Sequence, residues 1–241
     1  MEQSTIFALV KIVERPEYAR SLLRGELYMN SLAYFREYED HKGELRGDDW
    51  DGLGAIWQPR QISEISVGDL RIPPNELAGP ILFRHSRLDY TNVFCTYSLD
   101  SRSFDSVPSQ TTLAELRRAM LIDPSVHSLG AVAVLITNVT EFFKRVDSAI
   151  KSKSLSSRRG LISYFDEVTF HGDFGDKAGF YKRKAYSDQR EYRVTIESQE
   201  RSTGAYILSV GDLSDVAVVT TPEEVNRELK LTLPDGSTAG C

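Results

Sequence analysis

Two polar residues near the start of a late strand have the side chains that a group-transfer reaction needs. Gln189 and Glu191 precede the run Tyr192-Arg193-Val194-Thr195-Ile196, which predicts a strand. Side chains two residues apart in an extended chain lie on the same face. A carboxylate there could stabilise positive charge in a transition state, while the amide orients a second substrate. Glu191 and Gln189 are therefore candidate catalytic residues; an edge strand with solvated charges is the alternative.

The segment that leads into this strand is basic and aromatic. Residues 151–193 contain ten Lys and Arg against six Asp and Glu, so this segment carries +4 in a chain with a net charge of −6. Cations interleaved with tyrosines are typical of surfaces that bind phosphates and stack bases. The pattern predicts a basic face beside Glu191. Its candidate residues are Lys182, Arg183, Lys184, Tyr186 and Arg190.

An acidic loop offers a different chemistry. Asp48, Asp49 and Asp51 fall in the polar stretch 39–52, and carboxylates can hold a hard cation such as Mg²⁺. The loop lacks the further ligands of a calcium loop, so a solvated acidic turn is the simpler interpretation. The four histidines lack metal-ligand spacing, and we expect no metal. They are His41, His85, His127 and His171.

Other signals of enzyme class and compartment are missing from the sequence. The chain has neither a Gly-rich phosphate loop nor a nucleophile elbow. Its two cysteines, Cys95 and Cys241, are too few for a disulfide framework. The first residues do not resemble a signal peptide, and the longest apolar run, 131–136, is too short to span a bilayer. We expect a cytoplasmic protein with no membrane contact.

The elements that must position these residues alternate irregularly along the chain. This order predicts an α+β fold, one domain over residues 1–241, with a mixed and largely antiparallel sheet and flanking helices. Loops are expected at 39–52 and 151–159. Strands are predicted at 6–13, 26–29, 66–75, 92–99, 130–137, 161–170, 191–198, 205–210 and 215–220, and helices at 17–24, 31–38, 112–120, 139–150 and from Pro222.

Gln-x-Glu at the start of a late strand resembles the catalytic motif of ADP-ribosyltransferases, which transfer ADP-ribose from NAD. The N-terminal part of the chain has the order of that superfamily: a first strand with Lys11, a helix, and then Gly25-Glu26-Leu27-Tyr28. The superfamily has Arg or His where this chain has Lys11. Cys95-Thr96-Tyr97-Ser98 resembles the Ser-Thr-Ser end of a middle strand in one branch.

Residues 6–200 also resemble a broad group of poorly characterised bacterial proteins. The shared patterns are Gly-x-Leu-Tyr-x-Asn-x-x-x-Tyr-Phe from Gly25, an Arg-Gly-Asp loop at 46–52, and a basic, aromatic approach to Glu-Tyr-Arg at 191–193. Together these resemblances imply an ADP-ribosyltransferase-like fold and NAD as a substrate, with no metal.

The resemblance also implies roles for individual residues. Glu191 would hydrogen-bond the nicotinamide ribose, Gln189 would orient the acceptor, and Lys11 would contact a phosphate or ribose of NAD. The remaining assignments place Tyr28 or Tyr34 on the nicotinamide unless they pack in the core, Ser98 as a support for Glu191, and Arg193 as a partner of Glu191 or a phosphate.

The acceptor would be a nucleic acid or a protein, as in toxin or bacterial-defence enzymes of this superfamily, and an antitoxin-type partner could neutralise the activity. Two alternatives stay open. One is a non-catalytic module of the same fold that binds nucleic acid or protein. The other is a metal-dependent nuclease or phosphodiesterase that uses Asp48, Asp49 and Asp51.

Overall fold

The computed structural model describes residues 4–38, 46–104, 112–198, 200–232 and 235–240. His41, Cys241 and the first part of the predicted polar loop lie outside these ranges. The helices are α1 (Pro16–Leu23), α2 (Leu32–Glu37), α3 (Leu113–Met120), α4 (Val139–Ser152) and α5 (Pro222–Glu228). The strands are β1 (Ile6–Val13), β2 (Glu26–Ser31), β3 (Leu53–Trp57), β4 (Ile65–Val67), β5 (Leu70–Ile72), β6 (Ile81–Arg84), β7 (Thr91–Asp100), β8 (Val132–Ile136), β9 (Ser156–Leu161), β10 (Ser163–Phe165), β11 (Gly172–Asp173), β12 (Tyr181–Arg183), β13 (Glu191–Glu197), β14 (Tyr206–Ser209), β15 (Ala217–Thr220), β16 (Leu231–Thr232) and β17 (Thr238–Ala239).

The largest sheet is antiparallel and is organised around β7. Its strand order is β14-β2-β7-β1-β8-β15, and β13 pairs with β7 and β9. β7 is ten residues long and has two partners, β1 and β2, in addition to β13. This mixture of antiparallel sheets and helices confirms the predicted α+β class.

The main hydrophobic core lies between this sheet and α4. Phe142, Val146 and Ile150 of α4 are buried at helical spacing, as their apolar periodicity predicted. They belong to one cluster with Phe94 of β7 and Val194 of β13. Because alternate residues of a strand point to opposite faces, Glu191 and Arg193 of β13 are directed away from this core.

A second, smaller layer covers the other side of β13. It contains the three-stranded sheet β11-β3-β6 and the parallel pair β10-β12. Aromatic residues fill the space between these strands, and Phe174 stacks on Phe170 with ring centroids 4.5 Å apart. This layer brings residues 46–52 and β12 next to the start of β13.

The structure differs from the sequence prediction near residue 160, and it also contains strands that the sequence did not indicate, among them β3, β6 and β12. The expected loop 151–159 is instead the end of α4 followed by β9, which pairs with β13 from Tyr192↔Leu161 to Glu197↔Ser156. The first four residues of β9 are exposed and polar, so they have no apolar periodicity to indicate a strand. The predicted strand 161–170 is shortened to β10, and the predicted strand 66–75 becomes part of the β4-β5 hairpin.

Within the described ranges, no helix combines the length and the apolar character that crossing a membrane requires.

Candidate active site

A cavity opens beside β7, at the point where its neighbour along one edge changes from β1 to β2. β1 pairs with β7 as far as Val10↔Tyr97, and β2 pairs with it at Asn30↔Val93. The short stretch of β7 between these registers forms part of the cavity wall. The cavity has a volume of about 640 Å³, which is within the range of small-molecule sites.

Most of the residues that the sequence assigned to catalysis or to NAD line this one cavity. They come from three distant parts of the chain: the first strand, the second strand with the helix after it, and the approach to β13 with the start of that strand. The lining includes Lys11, Tyr28, Tyr34, Gln189, Glu191 and Arg193, together with Lys182 of β12, which the sequence assigned to the basic face. Asp51, Cys95 and Arg46 line it as well.

Glu191 lies at the inner wall of the cavity, held by two cations. Its Oε1 accepts a hydrogen bond from Arg193 Nε at 2.6 Å, and its Oε2 pairs with Lys182 Nζ at 2.9 Å. Its backbone N–H donates to the hydroxyl of Tyr164 at 2.8 Å. Burial by itself raises the pKa of a carboxyl, but Arg193 and Lys182 outweigh that effect and hold the pKa of Glu191 far below its usual range. The carboxylate is therefore ionised at neutral pH.

The side chain of Gln189 lines the same cavity, but the backbone around it has a conformation that the sequence did not indicate. The chain is not extended there, because Gln189 ends a 3₁₀ helix (Lys184–Gln189) and Arg190 is left-handed, with φ 40° and ψ 46°. This conformation is uncommon for a residue other than glycine. Arg190 is held by its carbonyl, which accepts from Ser98 N–H at 3.0 Å, and by its guanidinium, which donates to Ala119 O at 3.1 Å. The extended-chain reasoning was thus wrong, although both side chains line the cavity.

Arg193 connects Glu191 to the acidic loop. Its two terminal nitrogens donate to the two carboxylate oxygens of Asp51 at 2.8 and 2.9 Å, and one of them also donates to Gly179 O at 2.7 Å. Arg193 and Asp51 are each 1% exposed. Burial disfavours the charged guanidinium, but Asp51 and Glu191 raise the pKa of Arg193 well above its usual value. The side chain is fixed from both ends.

The other two aspartates of the acidic loop are also paired with an arginine. Arg183 Nε donates to Asp48 Oδ1 at 2.8 Å, and Arg183 Nη2 lies 2.7 Å from Asp49 Oδ1. The same Asp48 oxygen accepts the N–H of Trp50 at 3.0 Å. The three carboxylates thus bind arginines instead of converging on one point. In the part of the chain that the structure describes, no group of three or more His, Cys, Asp or Glu is arranged to hold a metal ion.

The predicted basic face is largely internal. Lys182 is 5% exposed, and Tyr186 is buried with its hydroxyl donating to Gly47 O at 2.6 Å. Arg183 is tied to the acidic loop, and Arg190 points back into the protein. Four of the five residues therefore do not form an exposed surface, because acidic and carbonyl partners from elsewhere in the chain draw them inward. Lys184 alone of the five is exposed.

Lys11 occupies another part of the cavity wall. Its Nζ donates to Cys95 O at 2.8 Å and lies 4.8 Å from the centre of the Phe94 ring. Burial lowers the pKa of Lys11, and the nearby Glu191 carboxylate opposes that shift. Burial also raises the pKa of the Cys95 thiol to about 12, so the thiol stays protonated. Lys11 thus adds a second amine to the cavity wall, besides Lys182, within electrostatic reach of the ionised Glu191.

Aromatic side chains line the outer part of the cavity. Tyr28 is 57% exposed and Tyr34 is 41% exposed, so neither is a core residue. Tyr18 of α1 and the ring of Phe35 line the same region. Exposed rings beside a cavity can stack on a planar group of a ligand.

Among the residues that the sequence assigned to catalysis or to NAD, Ser98 is the one that the structure places elsewhere. It is fully buried and is not part of the cavity lining. Its only described link to the site is the backbone bond to Arg190 O. The sequence assigned to Ser98 the role of holding Glu191 in place. In the structure that role belongs to Lys182, Tyr164 and, through Arg193, Asp51. The loop 46–52 is acidic and the segment 182–193 is basic. This opposite charge is the sequence signal that could have indicated that the two segments pair.

Comparisons of the chain with protein-family models, with curated proteins and with solved structures found no match. The chemistry open to the protein is therefore read from the cavity. It combines an ionised, immobilised carboxylate, an amide next to it, an amine, and accessible aromatic rings.

Proposed function

We propose that this protein transfers ADP-ribose from NAD to a macromolecular acceptor, a nucleic acid or a protein, and that its fold is ADP-ribosyltransferase-like. The observation that supports the proposal is one cavity lined by Lys11, Tyr28, Tyr34, Gln189 and Glu191. These residues were selected from separate parts of the sequence, by motif and order alone. Their meeting in a cavity of ligand size is what a dinucleotide site requires.

Glu191 supplies the central chemical step in this proposal. Its carboxylate accepts a hydrogen bond from a hydroxyl of the nicotinamide ribose and stabilises the positive charge that grows on the sugar. The bond from the ribose carbon to nicotinamide breaks, and nicotinamide leaves with the electron pair. An ionised carboxylate accepts about four hydrogen bonds, so the contacts with Arg193 and Lys182 leave capacity for the ribose.

Gln189 and Lys11 complete the reaction in different ways. Gln189 orients the acceptor, whose nucleophilic atom bonds to the ribose carbon and loses a proton. Lys11 contributes positive charge for a phosphate or ribose of NAD, and the tyrosines provide rings for stacking. Arg193, expected as a partner of Glu191 or of a phosphate, acts through Glu191 because its nitrogens are already bound to Asp51, Gly179 and Glu191. The cytoplasmic location expected from the sequence agrees with this use of NAD.

The test is release of nicotinamide and transfer of label from NAD to RNA, DNA or proteins of a cell lysate. Glu191→Gln keeps the size of the side chain and removes its charge, and we expect a loss of activity on the order of a thousandfold. Glu197→Gln is the matched control because Glu197 is exposed at the other end of the same strand. A folded wild-type protein that neither releases nicotinamide nor transfers label would refute the proposal.

One observation favours a second candidate, a non-catalytic binding module of the same fold. Glu191 is only 3% exposed, and both of its oxygens already have cationic partners. In such a module the carboxylate would fix the cavity wall. Calorimetry with RNA and DNA, together with the assay above, separates the two: nucleic-acid binding without nicotinamide release would identify the module. The paired loop aspartates give the nuclease alternative no comparable support.

A further inference from the structure

Lys182 contacts both candidate catalytic side chains. Its Nζ donates to Gln189 Oε1 at 2.9 Å and lies 2.9 Å from Glu191 Oε2. The side chain is 6% exposed, and its Nζ lies 5.3 Å from the centre of the Tyr186 ring. One ammonium group thus joins the amide and the carboxylate across the turn at Arg190.

The backbone around Lys182 holds this group in place. In the parallel pair β10-β12, Lys182 is aligned with Tyr164, whose hydroxyl receives the N–H of Glu191. The β10-β12 pair therefore contacts Glu191 twice: Tyr164 contacts its backbone N–H, and Lys182 contacts its carboxylate. A catalytic side chain must be held in one orientation by its neighbours, and the β10-β12 pair provides such contacts.

The charge of Lys182 is not explained by packing. Removing an ammonium group from water is costly, and an apolar side chain of the same volume fills a buried position without that cost. Arg193 and Asp51 already form a pair of their own. Lys182 is therefore the cation that remains for Glu191, and it also donates to Gln189.

We propose that Lys182 is a positioning residue that holds the Glu191 carboxylate and the Gln189 amide in one fixed arrangement towards the cavity. The proposal rests on the proposed transferase function for its catalytic consequence. Lys182 itself does not touch the reacting atoms; it acts through the two side chains that do.

The decisive variant is Lys182→Met, which keeps a similar chain length and removes the ammonium. We expect kcat for nicotinamide release to fall on the order of a hundredfold with little change in KM for NAD, because a misplaced group costs rate. Lys182→Arg, which keeps the positive charge, should recover part of the loss. Lys177→Met is the control, since Lys177 is exposed on a neighbouring turn and its loss should leave kcat unchanged.

A second measurement does not depend on activity. The carboxyl carbon of Glu191, labelled with ¹³C, can be titrated by NMR in the wild type and in Lys182→Met. The groups that face this carboxylate are Arg193, Lys182, Lys11, Cys95 and Tyr164. Loss of Lys182 should shift the titration to higher pH, and the acid limb of kcat should shift with it. Both are compared only over the pH range in which circular dichroism shows each protein to be folded, because acid unfolding would also shift them.

The outcomes separate the two proposals. Wild-type nicotinamide release with unchanged kcat and unchanged titration in Lys182→Met would overturn the positioning role and leave the transferase intact. Absence of nicotinamide release from the wild type would overturn the transferase and with it the catalytic role of Lys182, whatever the titration shows. If Lys182→Met does not fold, kcat and titration are measured on Lys182→Gln, which also removes the ammonium but keeps a polar side chain. Wild-type values for both would then overturn the positioning role.

Discussion

Two arginines in this protein make the same set of contacts in opposite surroundings. Arg193 donates through Nε to Glu191 and through its two terminal nitrogens to Asp51, in the cavity wall. Arg145 of α4 donates through Nε to Glu141 and through its terminal nitrogens to Asp215, on the outside. The Arg193 and Asp51 side chains are each 1% exposed, whereas Arg145 is 23% and Asp215 is 61% exposed. The Arg193 and Arg145 networks have the same pattern of contacts, so they differ mainly in how deeply they are buried.

Burial changes what each network can do. Exposed ion pairs contribute little to stability because water and salt screen them. Buried charges lose their hydration, so removing one partner leaves the others uncompensated. The outer network fastens the start of β15 to α4 and tolerates change. The inner network has a single acceptable arrangement, and for that reason it can define the position of Glu191.

The largest effect is expected from Arg193→Met. This change leaves the Glu191 and Asp51 carboxylates buried with Lys182 as their main cation, and it should lower the free energy of unfolding by about 3–5 kcal/mol. Urea denaturation of the variant and of Arg145→Met measures the contrast. Equal losses in the two variants would mean that burial does not distinguish the networks.

The next effect concerns Asp51, which the sequence offered as a metal ligand. Asp51→Asn keeps the shape and removes the charge that faces Arg193, and we expect a loss of about 1.5–3 kcal/mol in the free energy of unfolding. Asp215→Asn, the equivalent change outside, should have a much smaller effect. Added Mg²⁺ should not alter the thermal transition of the wild type, whereas a stabilising effect that Asp51→Asn abolishes would restore the metal interpretation.

The pH dependence of the free energy of unfolding tests the buried network through Glu191. Its pKa in the folded chain is depressed below the ordinary value of 4.5, so folding favours the ionised form. The resulting stabilisation is complete above about pH 4.5 and is lost as pH falls towards the folded-state pKa. Denaturation at pH 6 and pH 3 should therefore show a smaller acid loss in Glu191→Gln than in the wild type. The same acid loss in both proteins would show that Glu191 does not carry this dependence.

Local signals predicted several elements around the site, but neither β12, which carries Lys182, nor the 3₁₀ helix that ends at Gln189. Ile6–Val13 has a strand pattern, Pro16 begins α1, and the apolar spacing of α4 identified its buried face. The strand after Glu191 was predicted from its apolar residues. Each of these signals lies within one element, which is the range over which periodicity and capping act.

The contacts that complete the site were beyond such reasoning. Asp51 and Arg193 are 142 residues apart, so a local charge count treats one as part of an acidic loop and the other as part of a basic face. The left-handed turn at Arg190 has no sequence signal, because an arginine is not a residue that indicates it. β9 was missed because its early side chains are solvent-exposed. The tertiary pairing of charges decided which side of the protein each residue faces.

The smallest effect is the coupling between Arg145 and Asp215, measured by a double-mutant cycle with Arg145→Met and Asp215→Asn. Mobile ions reach this pair, and the screening length falls from about 10 Å at 0.1 M salt to about 3 Å at 1 M. The coupling should therefore be weak at low salt and disappear at high salt. The cycle for Arg193 and Asp51 is the control, because ions cannot enter that buried pair and its coupling should persist. If the inner coupling were screened as readily as the outer one, the cavity wall would be open to solvent, and the fixed position of Glu191 would no longer follow from burial.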